Sequence, residues 1–311
     1  MLPGEGMIMT SLEELEITEC GNLESLFSEG LQNLTSLDIN ECPKVWSSPE
    51  WLTNLTSLKK LDCVVLDGTT SLTNPLENLK SLEHLSISSG PDMTEHLSIS
   101  SGPDMTDFPE WIGNLASLTY LAIKRCPGIR SLPESLGNLA SLTDLWISDC
   151  PSIRSLPESL GNLASLADLW IRDCPSIRSL PESLGNLASL TELRIEDCPS
   201  IRSLPESFGN LLSLSKMSIY SCPALTELPK GLQRLTNLRE LSIEECPDLE
   251  RRLCKNWKEW KKVAHVPEIF IDGRSYSWEA EHPSLMQSLK KGCKEFDKKL
   301  HFPTCASSSS S

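Results

Sequence analysis

The side chains with the greatest capacity for chemistry in this sequence are its twelve cysteines. Thiolates attack electrophiles, bind zinc and form disulfides, and each of these roles has a characteristic cysteine spacing. Six of the cysteines recur at intervals of 24 residues: Cys126, Cys150, Cys174, Cys198, Cys222 and Cys246. No Cys-x-x-Cys pair occurs, so the regular interval indicates a structural repeat and not a metal or redox motif.

Motifs for other chemistry are also missing from the sequence. It contains no G-x-x-x-x-G-K-[ST] phosphate loop, no H-E-x-x-H and no G-x-S-x-G. The five histidines are scattered, and the set Cys246, Cys254, His265 and His282 fits no usual zinc spacing. The sequence therefore predicts a protein that is not an enzyme and that holds no metal and no cofactor.

The stretch from Leu142 to Ser165 shows what one period must form. Leu145 and Ile147 lie two residues apart, as in a short strand with one buried face. Such a strand cannot bury that face alone, so neighbouring periods must stack into one parallel sheet. On the return side, Pro157 suits the start of a short helical turn and Gly161 is expected to end it. Cys150 is expected to point inward against the backbone of the next turn.

The period and the L-x-x-L-x-I strand motif are those of a leucine-rich repeat. We predict an α/β fold, a leucine-rich-repeat solenoid of about ten turns over residues 1–250, with a curved parallel sheet and a short helical or irregular return side. Residues 83–106 carry "EHLSISSGPDMT" twice, and twelve residues are too few for a full turn. We therefore predict an irregular insertion there, in which only one of the two copies pairs on both sides.

The composition changes after residue 250. Residues 251–282 are predicted to cap the solenoid, with Trp257 and Trp260 covering its apolar end. Ile269 and Ile271 alternate as in one last strand that closes the sheet edge. Residues 283–311 are predicted to form a basic amphipathic helix followed by a disordered serine-rich tail.

The charge and the cysteines restrict the environment and the partners. The formal net charge of −15 argues against nucleic acid and against an anionic membrane surface as partners. No apolar run approaches the roughly 18 residues of a membrane span, so no stable membrane insertion is expected. Cys20 and Cys42 share the inward register of the six regular cysteines, which predicts reduced, buried thiols. With no recognisable signal peptide, this pattern predicts a cytoplasmic protein.

The strand residues that alternate with the buried ones should face the concave side of the sheet. Trp146 and Trp170 share one column there, either as binding anchors or as a cross-strand pair that stabilises the sheet. The predicted partner-binding surface comprises Tyr120, Lys124, Asp144, Trp146, Asp168, Trp170, Arg172, Glu192, Arg194, Glu196 and Tyr220. A second column, Arg130, Arg154, Arg178 and Arg202, is predicted to pair with nearby carboxylates.

The repeats and the segment that follows them resemble the C-terminal part of plant coiled-coil nucleotide-binding leucine-rich-repeat disease-resistance proteins. Many of these proteins end with C-P-x-L-E-x-R-C, then an acidic residue and Trp, then K-I-A-H-I-P-x-I-x-I-D. The matching residues here are Cys246, Pro247, Leu249, Glu250, Cys254, Glu259, Trp260, Lys262, Val263, Ala264, His265, Val266, Pro267, Ile269, Ile271 and Asp272. This sequence differs from the family pattern in two places. It has an extra residue, Leu253, before the cysteine, and the gap between Cys254 and Trp260 is shorter.

The resemblance implies a protein-recognition module of an intracellular immune receptor. In that family the repeats sense a pathogen effector or a modified (guarded) host protein, and they restrain a nucleotide-binding switch domain. No switch domain is present in this sequence, so no nucleotide-binding residue carries over. Two alternatives remain, which are a free-standing intracellular leucine-rich-repeat scaffold and an extracellular leucine-rich-repeat receptor or inhibitor domain.

Overall fold

In the described part of the chain the fold is a single sheet of twelve strands that follow one another in sequence order. The computed structural model describes residues 11–26, 30–42, 44–45, 49–64, 76–88, 108 and 110–277. The strands are β1 (Glu14–Thr18), β2 (Ser36–Asn40), β3 (Lys60–Val64), β4 (His84–Ser88), β5 (Tyr120–Lys124), β6 (Asp144–Ser148), β7 (Asp168–Arg172), β8 (Glu192–Glu196), β9 (Lys216–Tyr220), β10 (Glu240–Glu244), β11 (Glu268–Ile271) and β12 (Arg274–Ser277). Strands β1 to β11 pair in parallel, which confirms the predicted solenoid and its ten repeat strands.

The register between strands explains why the repeat is so strict. Leu145 pairs with Leu169 and Ile147 with Ile171, so identical side chains stack on the core side in adjacent turns. These four side chains are at most 1% exposed. A one-residue slip would turn every one of them to solvent, so the alternation fixes the register.

The return side consists of short 3-10 helices, in agreement with the predicted short helical return. They are Pro49–Asn54, Leu76–Asn78, Glu110–Asn114, Glu134–Asn138, Glu158–Asn162, Glu182–Asn186, Glu206–Asn210 and Lys230–Arg234. Pro157 precedes the helix Glu158–Asn162 as expected, but the role predicted for Gly161 was wrong. Gly161 lies inside that helix, and a Cβ there would overlap the carbonyl oxygen of Ser183 in the next turn. The glycine is needed for close approach between helices, not for termination.

The regular cysteines are free thiols in the core, as predicted. The Cys150 thiol donates to the carbonyl oxygens of Ser148 (3.2 Å) and Ile123 (3.8 Å), so it faces the preceding turn and not the next one. Burial raises the pKa of the Cys198 thiol to about 12, which keeps it protonated at neutral pH. Cys20 was wrongly assigned to the buried set. It is exposed because it follows β1, which pairs with a strand on only one side within the described residues.

The first of the two duplicated segments supplies β4, which pairs with β3 and with β5. His84 lies opposite Tyr120 and Leu85 opposite Leu121, so the sheet keeps its register from the irregular turns into the regular ones. The second copy lies outside the described residues.

Two short helices and a hairpin follow the last repeat strand. Helix α1 (Pro247–Lys255) leads into helix α2 (Trp257–Trp260). Trp260 is 2% exposed within the core, as predicted, whereas Trp257 at the start of α2 is 43% exposed, so its predicted capping role was wrong. None of the helices in the described part of the chain has the length and apolar character needed to cross a membrane. The basic amphipathic helix predicted within 283–311 lies outside the described residues.

Strand β11 extends the parallel sheet, as predicted from Ile269 and Ile271. The prediction that it is the last strand was wrong, because β12 follows it. Asp272 and Gly273 both adopt positive φ (47° and 70°), and Ile271 pairs with Arg274 across this two-residue turn. Two successive residues with positive φ make the type of turn that joins antiparallel strands. Strand β12 therefore folds back along β11 and becomes the edge of the sheet.

Glutamates on the return side link each turn to the next. The carboxylate of Glu134 accepts a hydrogen bond from the backbone N–H of Ser159 at 2.9 Å. Glu158 and Glu182 repeat this contact with Ser183 and Ser207. These carboxylates were candidates to pair with the second arginine column, but they are directed to the backbone instead. Among the described residues no carboxylate lies within 4.0 Å of Arg130, Arg154, Arg178 or Arg202, so the predicted pairing was wrong.

The glutamate links make stability depend on pH in a predictable direction. The backbone N–H and hydroxyl of Ser207 lower the pKa of Glu182 from its ordinary value of 4.5. A lowered folded-state pKa adds stability above about pH 4.5, and that stability is lost as the pH falls through the folded-state pKa. We expect Glu182→Gln to lower the melting temperature by about 1–2 °C at pH 7, since the carboxylate is exposed and the contact is weak. In melting curves taken near pH 3 the difference should be smaller. An equal decrease in melting temperature at both pH values would mean that the shape of the Glu182 side chain, and not its charge, stabilises the contact between turns.

Candidate interaction surface

The first, third and fifth residues of the repeat strands lie on the concave face, and the second and fourth lie in the core. Register places the predicted site residues in three columns. The first column contains Tyr120, Asp144, Asp168 and Glu192, the middle column Trp146, Trp170 and Arg194, and the last column Lys124, Arg172, Glu196 and Tyr220. All eleven residues thus lie on the same face of strands β5 to β9.

Aromatic rings form a continuous array across neighbouring strands. His84 and Tyr120 stack with their centroids 4.2 Å apart and an interplanar angle of 2°. The edge-to-face contact of Tyr120 with Trp146 spans 5.3 Å, and that of Trp146 with Trp170 spans 5.0 Å. These separations are typical of favourable aromatic pairs. The two tryptophans are therefore a cross-strand pair, and they also remain partly exposed on the open face.

Cationic side chains of the chain itself lie over the tryptophan rings. The Lys124 ammonium is 5.3 Å from the Trp146 ring centroid, and the Arg194 guanidinium is 5.7 Å from that of Trp170. Arg194 is held in place by Glu192 at 2.7 Å and by Asp168 at 3.4 Å. Such contacts fix the rings and the guanidinium relative to one another, so the middle of the surface is ordered before any partner arrives.

Sequence reasoning missed the beginning of this array. His84 lies in the same column as Tyr120, and its Nε2 is 3.0 Å from the carboxylate of Asp62. Lys60 also contacts Asp62, at 3.0 Å. Burial alone would raise the pKa of Asp62, but the hydrogen bonds from His84 and Lys60 outweigh it and lower the pKa. An alignment of the irregular early turns on the strand motif would have placed His84 and Asp62 on this face.

The first column of the surface is rich in carboxylates, which affect the titration of their neighbours. Burial raises the pKa of Tyr120 to about 12, and the carboxylates of Asp62, Asp144 and Asp168 act in the same direction. Burial also raises the pKa of Asp168, with contributions from Glu192 and Asp144, although Arg194 opposes them. Asp144 and Asp168 are directly opposite each other on β6 and β7. Like charges placed in this way repel, and a basic group from a partner would relieve the repulsion.

Arg172, Glu196 and Tyr220 in the last column do not join the aromatic array. Arg172 contacts Asp173 (3.0 Å) and Asp197 (3.8 Å) at the carboxyl ends of the strands. The Tyr220 hydroxyl donates to Glu245 at 2.6 Å, in the next turn of the solenoid. Glu196 pairs in register with Arg172 and Tyr220 in this same last column. These residues form the rim of the surface, and the tryptophans form its centre.

Two hydrogen-bond donors at the centre have no partner among the described residues. The indole Nε1 atoms of Trp146 and Trp170 are buried and donate no hydrogen bond there. Leaving a buried donor unpaired costs about 1–3 kcal/mol. No group of three His, Cys, Asp or Glu side chains within the described ranges is arranged to hold a metal ion.

Comparison with solved structures shows the fold. A plant peptide hormone receptor, RGFR1 in complex with RGF2, matches with a TM-score of 0.51 and 18% identity over 83% of this chain and 37% of the receptor chain. The Arabidopsis receptor kinase HAESA, in complex with the peptide hormone IDA and the co-receptor SERK1, matches with a TM-score of 0.49 and 22% identity over 76% of this chain and 40% of HAESA. The leucine-rich repeat domain of the type III effector XopL matches with a TM-score of 0.48 and 24% identity over 67% of this chain and 75% of that domain.

These likenesses are at low identity, and this chain spans much less than half of each of the two plant receptors. No curated protein sequence matches the chain. A family model described as a leucine-rich repeat region matches residues 148–309, which is more than half of the sequence. Together with the stacked parallel strands and their 3-10 return helices, this match establishes that the chain belongs to the leucine-rich repeat region family.

Proposed function

We propose that the concave face of β4 to β8 binds a partner protein. The observation that carries this proposal is the continuous array from His84 through Tyr120, Trp146 and Trp170 to Arg194. Tryptophan, tyrosine and arginine are the side chains most enriched at binding hot spots. Five neighbouring strands spaced about 4.8 Å apart carry the array over roughly 19 Å, which suits a protein surface better than a small molecule.

The charge of the surface indicates the character of the partner. Asp144, Asp168 and Glu192 form a row of carboxylates beside the tryptophans, and only Arg194 and Lys216 lie within 4.0 Å of any of them among the described residues. A partner with a basic patch would neutralise the row, and its association would slow as salt is added. In this proposal the protein acts by binding its partner, with no enzymatic activity and no cofactor.

We infer further that this partner recognition belongs to a plant intracellular immune receptor, in the cytoplasm. The chain would sense a pathogen effector or a modified host protein and would restrain a nucleotide-binding domain of a resistance protein. Residues that resemble the ending of this receptor family pack against the last repeats, which supports this proposal. Glu250 accepts from the Cys246 N–H at 2.7 Å, the His265 ring bonds the Leu235 carbonyl at 3.0 Å, and Trp260 is buried. The residues that carry the resemblance are therefore ones that hold this segment against the last repeats.

A capture experiment in plant cells tests the proposal. Wild-type protein, the double variant Trp146→Ala/Trp170→Ala and the control Leu212→Ala would be expressed with the same tag. Leu212 is 57% exposed and follows the 3-10 helix Glu206–Asn210 on the return side. We expect proteins retained by the wild type and the control to be lost from the double variant, and a nucleotide-binding domain or an effector to be among them. An unchanged set of captured proteins in the double variant would overturn the proposed binding face.

A further inference from the structure

Four arginines form a second surface on a different side of the solenoid. Arg130, Arg154, Arg178 and Arg202, the arginine column, are all exposed and stand at the same position of successive turns. The backbone N–H of Arg154 donates to the carbonyl of Arg130 at 3.4 Å, and that of Arg202 donates to the carbonyl of Arg178 at 3.4 Å. The column therefore runs along the solenoid, perpendicular to the strands.

The arginine column is unneutralised in a strongly acidic protein. The formal net charge is −15, and yet no carboxylate in the described ranges lies within 4.0 Å of the four guanidinium groups. The glutamates four residues further on are directed to the N–H groups of Ser159, Ser183 and Ser207. Each arginine is followed by an exposed serine, which cannot neutralise it. Neighbouring guanidinium groups in such a column repel each other.

We propose that the arginine column is a docking surface for an acidic segment of a partner protein. Guanidinium groups bind carboxylates through two parallel hydrogen bonds, which suits a line of aspartate or glutamate side chains. An acidic segment would remove the repulsion within the column and would bring its own counter-charge. This surface lies on a different side from the concave face, so the proposal does not depend on the tryptophans.

The charges on both sides of the column favour a protein over a nucleic acid. One side carries Asp149, Asp173 and Asp197 at the carboxyl ends of the strands, where Arg172 contacts two of them, and the other carries the glutamates of the 3-10 helices. A negative, positive, negative pattern is complementary to an acidic line with basic residues on both flanks. A protein segment can carry both signs, whereas a phosphodiester chain carries only negative charge and is repelled by both flanks.

The test uses a labelled peptide of six glutamates flanked on each side by two lysines, with binding followed by fluorescence anisotropy at low salt. The variant is Arg154→Gln/Arg178→Gln, and the matched control is Lys230→Gln/Arg234→Gln, which removes two exposed cations from the 3-10 helix Lys230–Arg234. Exposed ion pairs are individually weak, so we expect about tenfold weaker binding for the arginine variant and less than about twofold for the control.

Thermal melting and a second probe complete the test. Since the column is repulsive, Arg154→Gln/Arg178→Gln should melt about 1–2 °C higher than the wild type at low salt, and this gain should shrink as salt is added. A lower melting temperature, or unchanged peptide binding, would overturn the proposal. A nine-residue oligothymidylate is the other probe. If it binds more tightly than the peptide and through the same two arginines, the partner is a nucleic acid and the proposed acidic protein segment is wrong.

Discussion

Replacing Trp146 and Trp170 by alanine is expected to remove most partner binding while leaving the solenoid folded. Hot-spot tryptophans cost about 2 kcal/mol or more each when truncated, so the double variant should bind its partner at least several hundred times more weakly. The stability loss should be smaller, about 2 kcal/mol, because the change removes two edge-to-face contacts and two cation–π contacts but no core side chain. Calorimetric titration against a captured partner measures the first effect, and thermal melting measures the second.

The control for this prediction is Leu212→Ala, which also shortens an exposed apolar side chain but lies on the return side. It should change neither the affinity nor the melting temperature appreciably. The opposite pattern, in which the tryptophan variant binds normally but melts far below the wild type, would make Trp146 and Trp170 a structural pair. The binding face would then have to lie elsewhere on the molecule.

The second large effect is expected in the C-terminal cap. Lys262 and Glu259 form an ion pair at 2.7 Å with side chains only 7% and 10% exposed, and the Lys262 ammonium also donates to the Leu228 carbonyl at 2.6 Å. Lys262→Met would leave the Glu259 carboxylate buried without a counter-ion. Breaking a buried pair in this way costs about 3–5 kcal/mol, whereas replacing both partners by apolar side chains is often nearly neutral.

Trp260 is buried and directly follows Glu259 in the sequence. Urea unfolding followed at the indole resonance of Trp260 therefore reports on this segment. We expect Lys262→Met to unfold at much lower urea, and Glu259→Leu/Lys262→Met to recover a large part of the loss. Lys258→Met is the matched control, since Lys258 is an exposed residue of the same short helix α2. If Lys262→Met behaves like this control, the pair does not hold the cap in place.

The repeat strands were predictable because each one is specified by a short alternating pattern that recurs in every period. Leu145 and Ile147 alternate at the period of a strand, and identical sequence in adjacent periods leaves one register that buries both. The buried cysteines followed from the same register. Cys20 did not, because burial needs a neighbour on each side and β1 has a pairing partner on only one side among the described residues.

Side chains with more than one available partner were less predictable. Glu158 was close enough in sequence to pair with Arg154, but its carboxylate accepts a hydrogen bond from the N–H of Ser183 at the start of the next 3-10 helix instead. Glycine is common at helix ends, so the sequence suggested that Gly161 ends its helix. The glycine is needed because the next turn lies close to it, and sequence spacing does not give that distance. On the concave face, the column of Trp146 and Trp170 was predictable, but the lysine and arginine over their rings were not.

The central claim is that the partner covers the middle of the concave face, and the indole N–H resonances test it most directly. The Nε1 atoms of Trp146 and Trp170 donate no hydrogen bond among the described residues, whereas Trp257 lies 43% exposed in the cap. In a nitrogen-15 labelled protein titrated with a captured partner, the resonances of Trp146 and Trp170 should move because the partner covers the exposed part of their rings. The resonance of Trp257 should stay in place. Movement confined to Trp257, or saturation of binding with Trp146 and Trp170 unmoved, would contradict the account.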